Sequence, residues 1–199
     1  NPIKNIITMR DWPYNCSYCY NHLWKKIYND QKDKLFQRRS VETVIDEIKH
    51  IKKHYPLSKI NFIDDNFINK RSWIKKFCQS YKKNIGLPFL ISVRINLLDE
   101  DLIASLREAG LEMVNFALES ATPEVQKEIL NRGDFSNESV SESIALLKKY
   151  GIRIRMQNMI GLPLPDPLED ALATLRFNLE NQVEDSWVSL YQPYPRTRL

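Results

Sequence analysis

The residues best suited to chemistry lie close together near the start of the chain. Residues 8–22 read TMRDWPYNCSYCYNH, with Cys16 and Cys19 in a Cys-x2-Cys spacing. Thiolates on a short loop are good ligands for soft metals and iron–sulfur clusters. The same spacing also forms half a zinc site or a thioredoxin-like redox pair. Zinc needs a second pair of ligands, and the one other cysteine, Cys78, falls beside Phe77 and Tyr81 in an apolar helical pattern. A free cysteine in that setting reads as a small buried hydrophobe. His22 extends the series to Cys-x2-Cys-x2-His and stands as a candidate third ligand.

Elements that alternate between strand and helix must position this loop. Asn5–Met9 is a short apolar strand leading into it. Ser40 reads as an N-cap, followed by Val41, Val44, Ile45, Ile48 and Ile51 at helical spacing. A strand at Ile60, Phe62 and Ile63 precedes a helix marked by Trp73, Ile74, Phe77, Tyr81 and Ile85 and stopped by Gly86. Phe89–Arg94, Met113–Glu119, Ile152–Ile160 and Ser186–Gln192 read as the remaining strands. Helical patterns at Asp99–Ala109, Pro123–Leu130, Ser136–Tyr150 and Leu168–Asn181 separate them. Strands joined through helices run parallel. The expected fold is therefore α/β, a partial (β/α)6 TIM-like barrel of parallel strands over residues 1–199. Its chemistry belongs at the C-terminal ends of the strands.

Alternation along the strands predicts what fills the barrel. Arg153, Arg155 and Gln157 should face the lumen, as should Ser92 and Arg94, while Phe89, Ile91 and Val93 face the helices. In the fourth strand Asn115 and Glu119 share one side, and Val114, Phe116 and Leu118 the other. A small closed barrel fills its centre with branched apolar side chains, so this polar set points to a hydrated, ligand-holding cavity. A bulge in the fifth strand would instead send an arginine outward.

Composition bounds the remaining possibilities. With 199 residues, 43% of them hydrophobic, the chain can bury one sizeable core as a single domain. A net charge of +4 gives no reason to expect a nucleic-acid partner, and the basic stretch Lys25–Arg39 reads as a solvated face. No apolar run is long enough to span a bilayer, and no charged segment precedes an apolar one at the start. Three cysteines make no disulfide framework, which fits a reducing cytoplasm. The chain begins without Met and enters a strand at once, as a segment of a longer protein would.

Six segments carry a family resemblance. They are the cysteine loop, NFIDDNF at Asn61–Phe67, SVRINL at Ser92–Leu97, FALES at Phe116–Ser120, NMIGLP at Asn158–Pro163 and YQPYP at Tyr191–Pro195. In this order, spaced by helices, they resemble the radical SAM superfamily, particularly the class often fused to a cobalamin-binding domain. The resemblance implies an enzyme core that holds a [4Fe–4S] cluster and S-adenosylmethionine (SAM). Its reactions are reductive cleavage of SAM to a 5′-deoxyadenosyl radical, or cobalamin-dependent methyl transfer. It implies metal ligation by Cys16 and Cys19, with Tyr18 near the adenine. It also implies Asp64, Asp65 and Asn66 at the methionyl amino group, Arg94 at the SAM carboxylate and Glu119 at the ribose or amino group. Asn158, Ile160, Gly161 and Leu162 would border the adenine. A small-molecule substrate and an electron donor such as a flavodoxin or ferredoxin follow, with cobalamin, if used, held by a domain N-terminal to Asn1.

The chain also departs from the family pattern. The usual first cluster cysteine is Trp12, within Asp11-Trp12-Pro13. Glycines usual in the family are Ala121, Leu164 and Arg196, and non-glycine residues do not adopt positive φ freely. All of these changes lie at the expected cofactor rim. Two readings follow. One is a radical SAM enzyme with an unconventional or external third cluster ligand. The other is a degenerate, non-catalytic barrel that binds a small molecule or a protein partner without a cluster.

Overall fold

A computed structural model describes residues 2–10, 14–21, 27 and 37–199. Trp12, His22 and most of the basic stretch lie outside them. Six strands form one sheet: β1 Ile3–Ile6, β2 Lys59–Phe62, β3 Phe89–Ser92, β4 Leu111–Glu119, β5 Arg153–Ile160 and β6 Asp185–Leu190. They lie in sequence order, and every neighbouring pair is parallel. The intervening helices are α1 Val41–His54, α2 Arg71–Asn84, α3 Glu100–Ala109, α4 Asn137–Lys149 and α5 Pro167–Glu180. The sheet is open among the described residues, with β1 and β6 at its edges. This is the expected partial barrel.

Local chemistry explains the helix limits. Ser40, Asp99, Ser136 and Asp166 accept the first free backbone N–H groups of α1, α3, α4 and α5. Gly110 ends α3 at φ 115°, where a Cβ would meet Leu87 O at 2.9 Å, so this turn excludes other residues. The expected helix at Pro123–Leu130 is present and takes π-helical form over Val125–Ile129.

The helix-facing side of the strands makes the core. Phe62, Phe67, Phe77, Tyr81 and Phe89 are buried together, with ring centroids 4.9–6.2 Å apart among the contacting pairs that include Phe62. Cys78 is buried on the same helix, and burial pushes its thiol up to about 12. Arg38 does not sit on a solvated face, as the basic stretch suggested. Its guanidinium stacks 3.7 Å from the Trp73 ring centroid and donates to Phe67 O at 2.6 Å, and burial pulls its pKa down to about 10.

The opposite side of the strands carries the polar lumen, as alternation required. Its N-terminal end is charged: Lys59 pairs with Glu112 at 2.5 Å and Arg155 with Asp185 at 2.6 Å. Arg153 lies 3.9 Å from Glu112. The register of β5 against β6 is unbroken, so the two arginines stay inward. Register shifts fall instead between Phe89 and Leu90 in β3 and between Ala117 and Glu119 in β4.

Candidate functional site

The cysteine loop leaves the sheet after β1 and returns beside it. Arg39 N–H donates to Thr8 O at 2.9 Å, and Met9 and Arg38 form an isolated antiparallel bridge. Asp64, at the end of β2, closes this base. Its Oδ1 accepts from Thr8 N, Thr8 Oγ1 and Met9 N at 2.9, 3.1 and 2.5 Å. Within the loop, Cys19 N–H donates to Cys16 O at 3.2 Å, and Ser17 N–H to Leu130 O at 3.1 Å. Both Arg198 N–H and Leu199 N–H reach Ser17 O. The connection after β4 and the last residues therefore pin the loop over the strand ends.

The two thiols are not equivalent. Cys16 is 1% exposed and receives Nη1 of Arg132 at 3.8 Å. Cys19 is half-buried and receives Asn21 N–H at 3.4 Å. Burial raises the Cys19 thiol pKa, against the lowering effect of that N–H. Two soft sulfurs, each with an N–H donor, suit a metal or cluster held by thiolates, since such donors stabilise the sulfur's charge. Among the described residues no group of three or more His, Cys, Asp and Glu side chains surrounds a common point, and the expected third position is Trp12.

Behind the loop lies a cavity of about 360 Å³ at the C-terminal ends of β2–β5. Its centre is Glu119, buried in the interior and held at φ 70°. A non-glycine residue in that region is strained and marks a functional candidate. Tyr18 Oη donates to Glu119 Oε1 at 2.9 Å, and Arg132 Nη1 donates to Tyr18 Oη at 3.0 Å. Arg132 also donates to Ala117 O. Burial raises the Glu119 pKa, with Arg132 and Tyr18 working against it. Burial likewise drives Tyr18 well above its ordinary value. Burial opposes the charge on Arg132, but Tyr18, Glu119 and Cys16 together push its pKa up, so it stays cationic.

Asp65 lines the cavity and accepts from Asn21 Nδ2 at 3.2 Å, and burial raises its carboxyl. Arg94 also lines it, but both ends of its fork reach Asp134, with Nε 2.8 Å from Oδ2. Its guanidinium stacks 3.8 Å from the Tyr14 ring centroid, and its Nη1 has no partner among the described residues. Arg94 therefore pairs with Asp134, not with Glu119 across the lumen.

Two expected residues turn elsewhere, while Asp64 both lines the cavity and closes the loop base. Asp64 is engaged at the loop base, with only its Oδ2 unpartnered among the described residues. Asn66 is buried, and its Oδ1 accepts from Arg94 N at 3.3 Å, so it positions the end of β3. Asn158 points to the helix side, where its Nδ2 meets Ser186 Oγ at 3.0 Å and Asn178 Oδ1 at 3.4 Å. Alternation accounts for this last placement: Asn158 lies between Gln157 and Met159, both of which line cavities.

A second cavity of about 360 Å³ adjoins the first through Tyr18 and is walled by Met159, Trp187, Tyr191 and Tyr194. Leu162 is buried beside Tyr18 in a small apolar cluster with Val125, Leu130 and Met159. Half-buried Ile160 accepts Tyr191 N–H at 2.8 Å. Gly161 has φ 72°, and a Cβ there would meet Leu190 Cδ1 at 2.8 Å.

The sequence reading missed Arg132 and Asp134. Both fall in Asn131-Arg132-Gly133-Asp134, which looks like an ordinary polar turn, yet Arg132 is only 4% exposed. The positive φ of Asn131 (53°) folds this turn inward.

The family model described as Radical SAM superfamily matches residues 7–177. The chain is 28% identical over its whole length to the uncharacterized methyltransferase PH0819 of Pyrococcus horikoshii, covering 41% of that protein. It is 27% identical over 164 residues to the cytidylyl-2-hydroxyethylphosphonate methyltransferase of Streptomyces wedmorensis, covering 81% of this chain and 29% of the relative. It thus spans less than half the length of these relatives. Among solved structures, the radical S-adenosylmethionine methyltransferase TsrM of Kitasatospora setae superimposes with a TM-score of 0.81 at 18% identity. That match covers 99% of this chain and 37% of TsrM, which was solved with tryptophan substrate and a SAM analog bound. With a family match across most of its length and the matching strand order, the chain belongs to the radical SAM superfamily.

Proposed function

We propose that this chain is the catalytic core of a radical SAM methyltransferase, in which Cys16 and Cys19 ligate a [4Fe–4S] cluster and SAM lies where the two cavities meet at Tyr18, leaving the inner wall of the first to the substrate. The observation that carries this reading is the meeting of the loop's thiols with the buried Glu119–Tyr18–Arg132 chain at one strand end. The methyltransferase relatives favour methyl transfer, assisted by cobalamin from a domain outside this chain. They weigh against a barrel that binds without a cluster, which rests on Trp12.

When bound, the reduced cluster supplies the electron that breaks a carbon–sulfur bond of the SAM sulfonium. The protein residues bind, orient and exclude water. Asp65 and Glu119 present carboxylates suited to SAM's ammonium and ribose hydroxyls. Arg132 and the unpartnered Nη1 of Arg94 present positive charge to its carboxylate. The aromatic second cavity, walled by Tyr18, Trp187, Tyr191 and Tyr194, suits the adenine. The pinning of Ser17 to Leu130 and to the last residues holds the thiols over this site. A low-potential donor such as a flavodoxin or ferredoxin, a small-molecule substrate and a cytoplasmic setting complete the proposal. Among the described residues no helix is long and apolar enough to cross a membrane.

Calorimetric titration with SAM, under anaerobic conditions, tests the site. Glu119→Gln removes the carboxylate but keeps an acceptor for Tyr18, and is expected to weaken binding at least about tenfold, the worth of a charge-assisted hydrogen bond. Equal affinity in the variant and the parent contradicts the role given to Glu119.

A further inference from the structure

The inner wall of the main cavity has a chemistry of its own. Ser92, Asn115 and Gln157 project into it from three successive strands, β3, β4 and β5, and Asn61 joins them from β2. All are neutral. Asn61 donates to Asn5 Oδ1 at 3.0 Å. Among the described residues, the side chains of Ser92, Asn115 and Gln157 make no hydrogen bond within the protein, and Asn115 Oδ1 is buried without a partner. A half-buried amide retains two donors and a two-lone-pair acceptor. Buried polar atoms are normally satisfied, so this wall presents unused acceptors and donors toward whatever fills the lumen.

The charges nearby are already accounted for. Arg94 is engaged by Asp134, and Arg132 by Tyr18, Ala117 and Cys16. On the reading above, their remaining N–H groups meet the SAM carboxylate. Among the described residues that line the cavity, an anion entering with the substrate would find no further cation and would face the Asp65 and Glu119 carboxylates. Tyr18 and Phe116 also line this cavity, but its inner wall offers an aromatic ring amides and a serine, while Trp187, Tyr191 and Tyr194 wall the second cavity.

We infer that the part of the substrate held in this lumen is uncharged and rich in hydrogen-bond donors, a polyhydroxyl or amide compound rather than a phosphonate or an indole. The inference rests on the SAM-site reading and deepens it. It also separates this chain from relatives whose names record a phosphonate or a tryptophan.

The test uses the chain bound to S-adenosylhomocysteine and three probes in ligand-observed NMR titrations: N-acetyl-D-glucosamine, methylphosphonate and indole. The expected result is binding of the sugar amide, weakened about tenfold by Asn115→Leu and by Gln157→Met, the loss of roughly one hydrogen bond each. Affinity for S-adenosylhomocysteine, followed by calorimetry, is expected to be unchanged in both variants, which also shows that they fold. The proposal is overturned if the sugar amide does not bind, or binds all three proteins equally. It is also overturned if methylphosphonate or indole binds and loses affinity in these variants. Failure of S-adenosylhomocysteine to bind the parent chain overturns the site reading, and the inference with it.

Discussion

The two faces of the same six strands have opposite characters. On the helix side, Phe62, Phe77, Tyr81 and Phe89 are fully buried and packed ring against ring. On the lumen side, Asn61, Ser92, Asn115 and Gln157 line a void. Cysteine illustrates the contrast. Cys78, in the aromatic core, has its thiol raised to about 12 by burial, while Cys16 and Cys19 each receive an N–H donor at the cavity rim. The helix face makes the fold, and the lumen face gives up packing to make a site. Mutations on the two faces should therefore separate stability from binding.

The largest effect belongs to the helix face. Phe77→Ala should cost about 3–5 kcal/mol through lost transfer energy and a cavity, read from the urea midpoint. A loss below about 1 kcal/mol would mean that the aromatic cluster is not the core. Arg132→Gln is expected to cost about 3 kcal/mol, because it leaves Glu119 buried without its cation, and to abolish measurable SAM binding. An Arg132→Gln protein as stable as the parent would contradict the charge coupling to Glu119 that runs through Tyr18.

The third prediction concerns pH. Cys78 titrates near 9.0 when unfolded and at about 12 when folded. Its folded pKa is raised, so its contribution to stability is complete below pH 9 and is lost as pH rises from 9 toward 12. The parent chain should lose more stability across that window than Cys78→Ala does, measured as the difference in thermal midpoint between pH 8 and pH 10.5. Parallel pH curves for the two proteins would place Cys78 outside the core. The smallest effect is at Arg196, which holds φ 67°. Arg196→Gly should relieve strain of about 1 kcal/mol and raise the thermal midpoint by a few degrees. An unchanged or lower midpoint would show the strain to be absent.

Much of the fold was legible because period-2 and period-3.6 patterns report burial directly. The helix starts at Ser40, Asp99 and Ser136 followed from side chains that cap, and the inward row of β5 followed from alternation alone. Family motifs at strand ends singled out Glu119 and Asp65, and both line the cavity. The site was not legible where long-range hydrogen bonds decide direction. Asn66 turns to Arg94 N though it stands beside Asp65 in sequence, and Asp64 uses one carboxylate oxygen to hold Thr8 and Met9 while lining the cavity. Arg132 meets Cys16 from 116 residues away, a contact that no local pattern encodes. The glycine replacements divide likewise. Arg196 takes the positive φ that glycine favours, while Ala121 and Leu164 do not need it.

The central claim is tested most directly by iron and acid-labile sulfide per chain after anaerobic reconstitution, for the parent and for Trp12→Cys, with EPR spectra of the reduced samples with and without SAM. The expected result is a sparsely occupied [4Fe–4S] cluster in the parent, sharply higher occupancy in Trp12→Cys, and a spectrum that shifts when SAM is added. Folded proteins with no cluster in either form, or a spectrum indifferent to SAM, would contradict it.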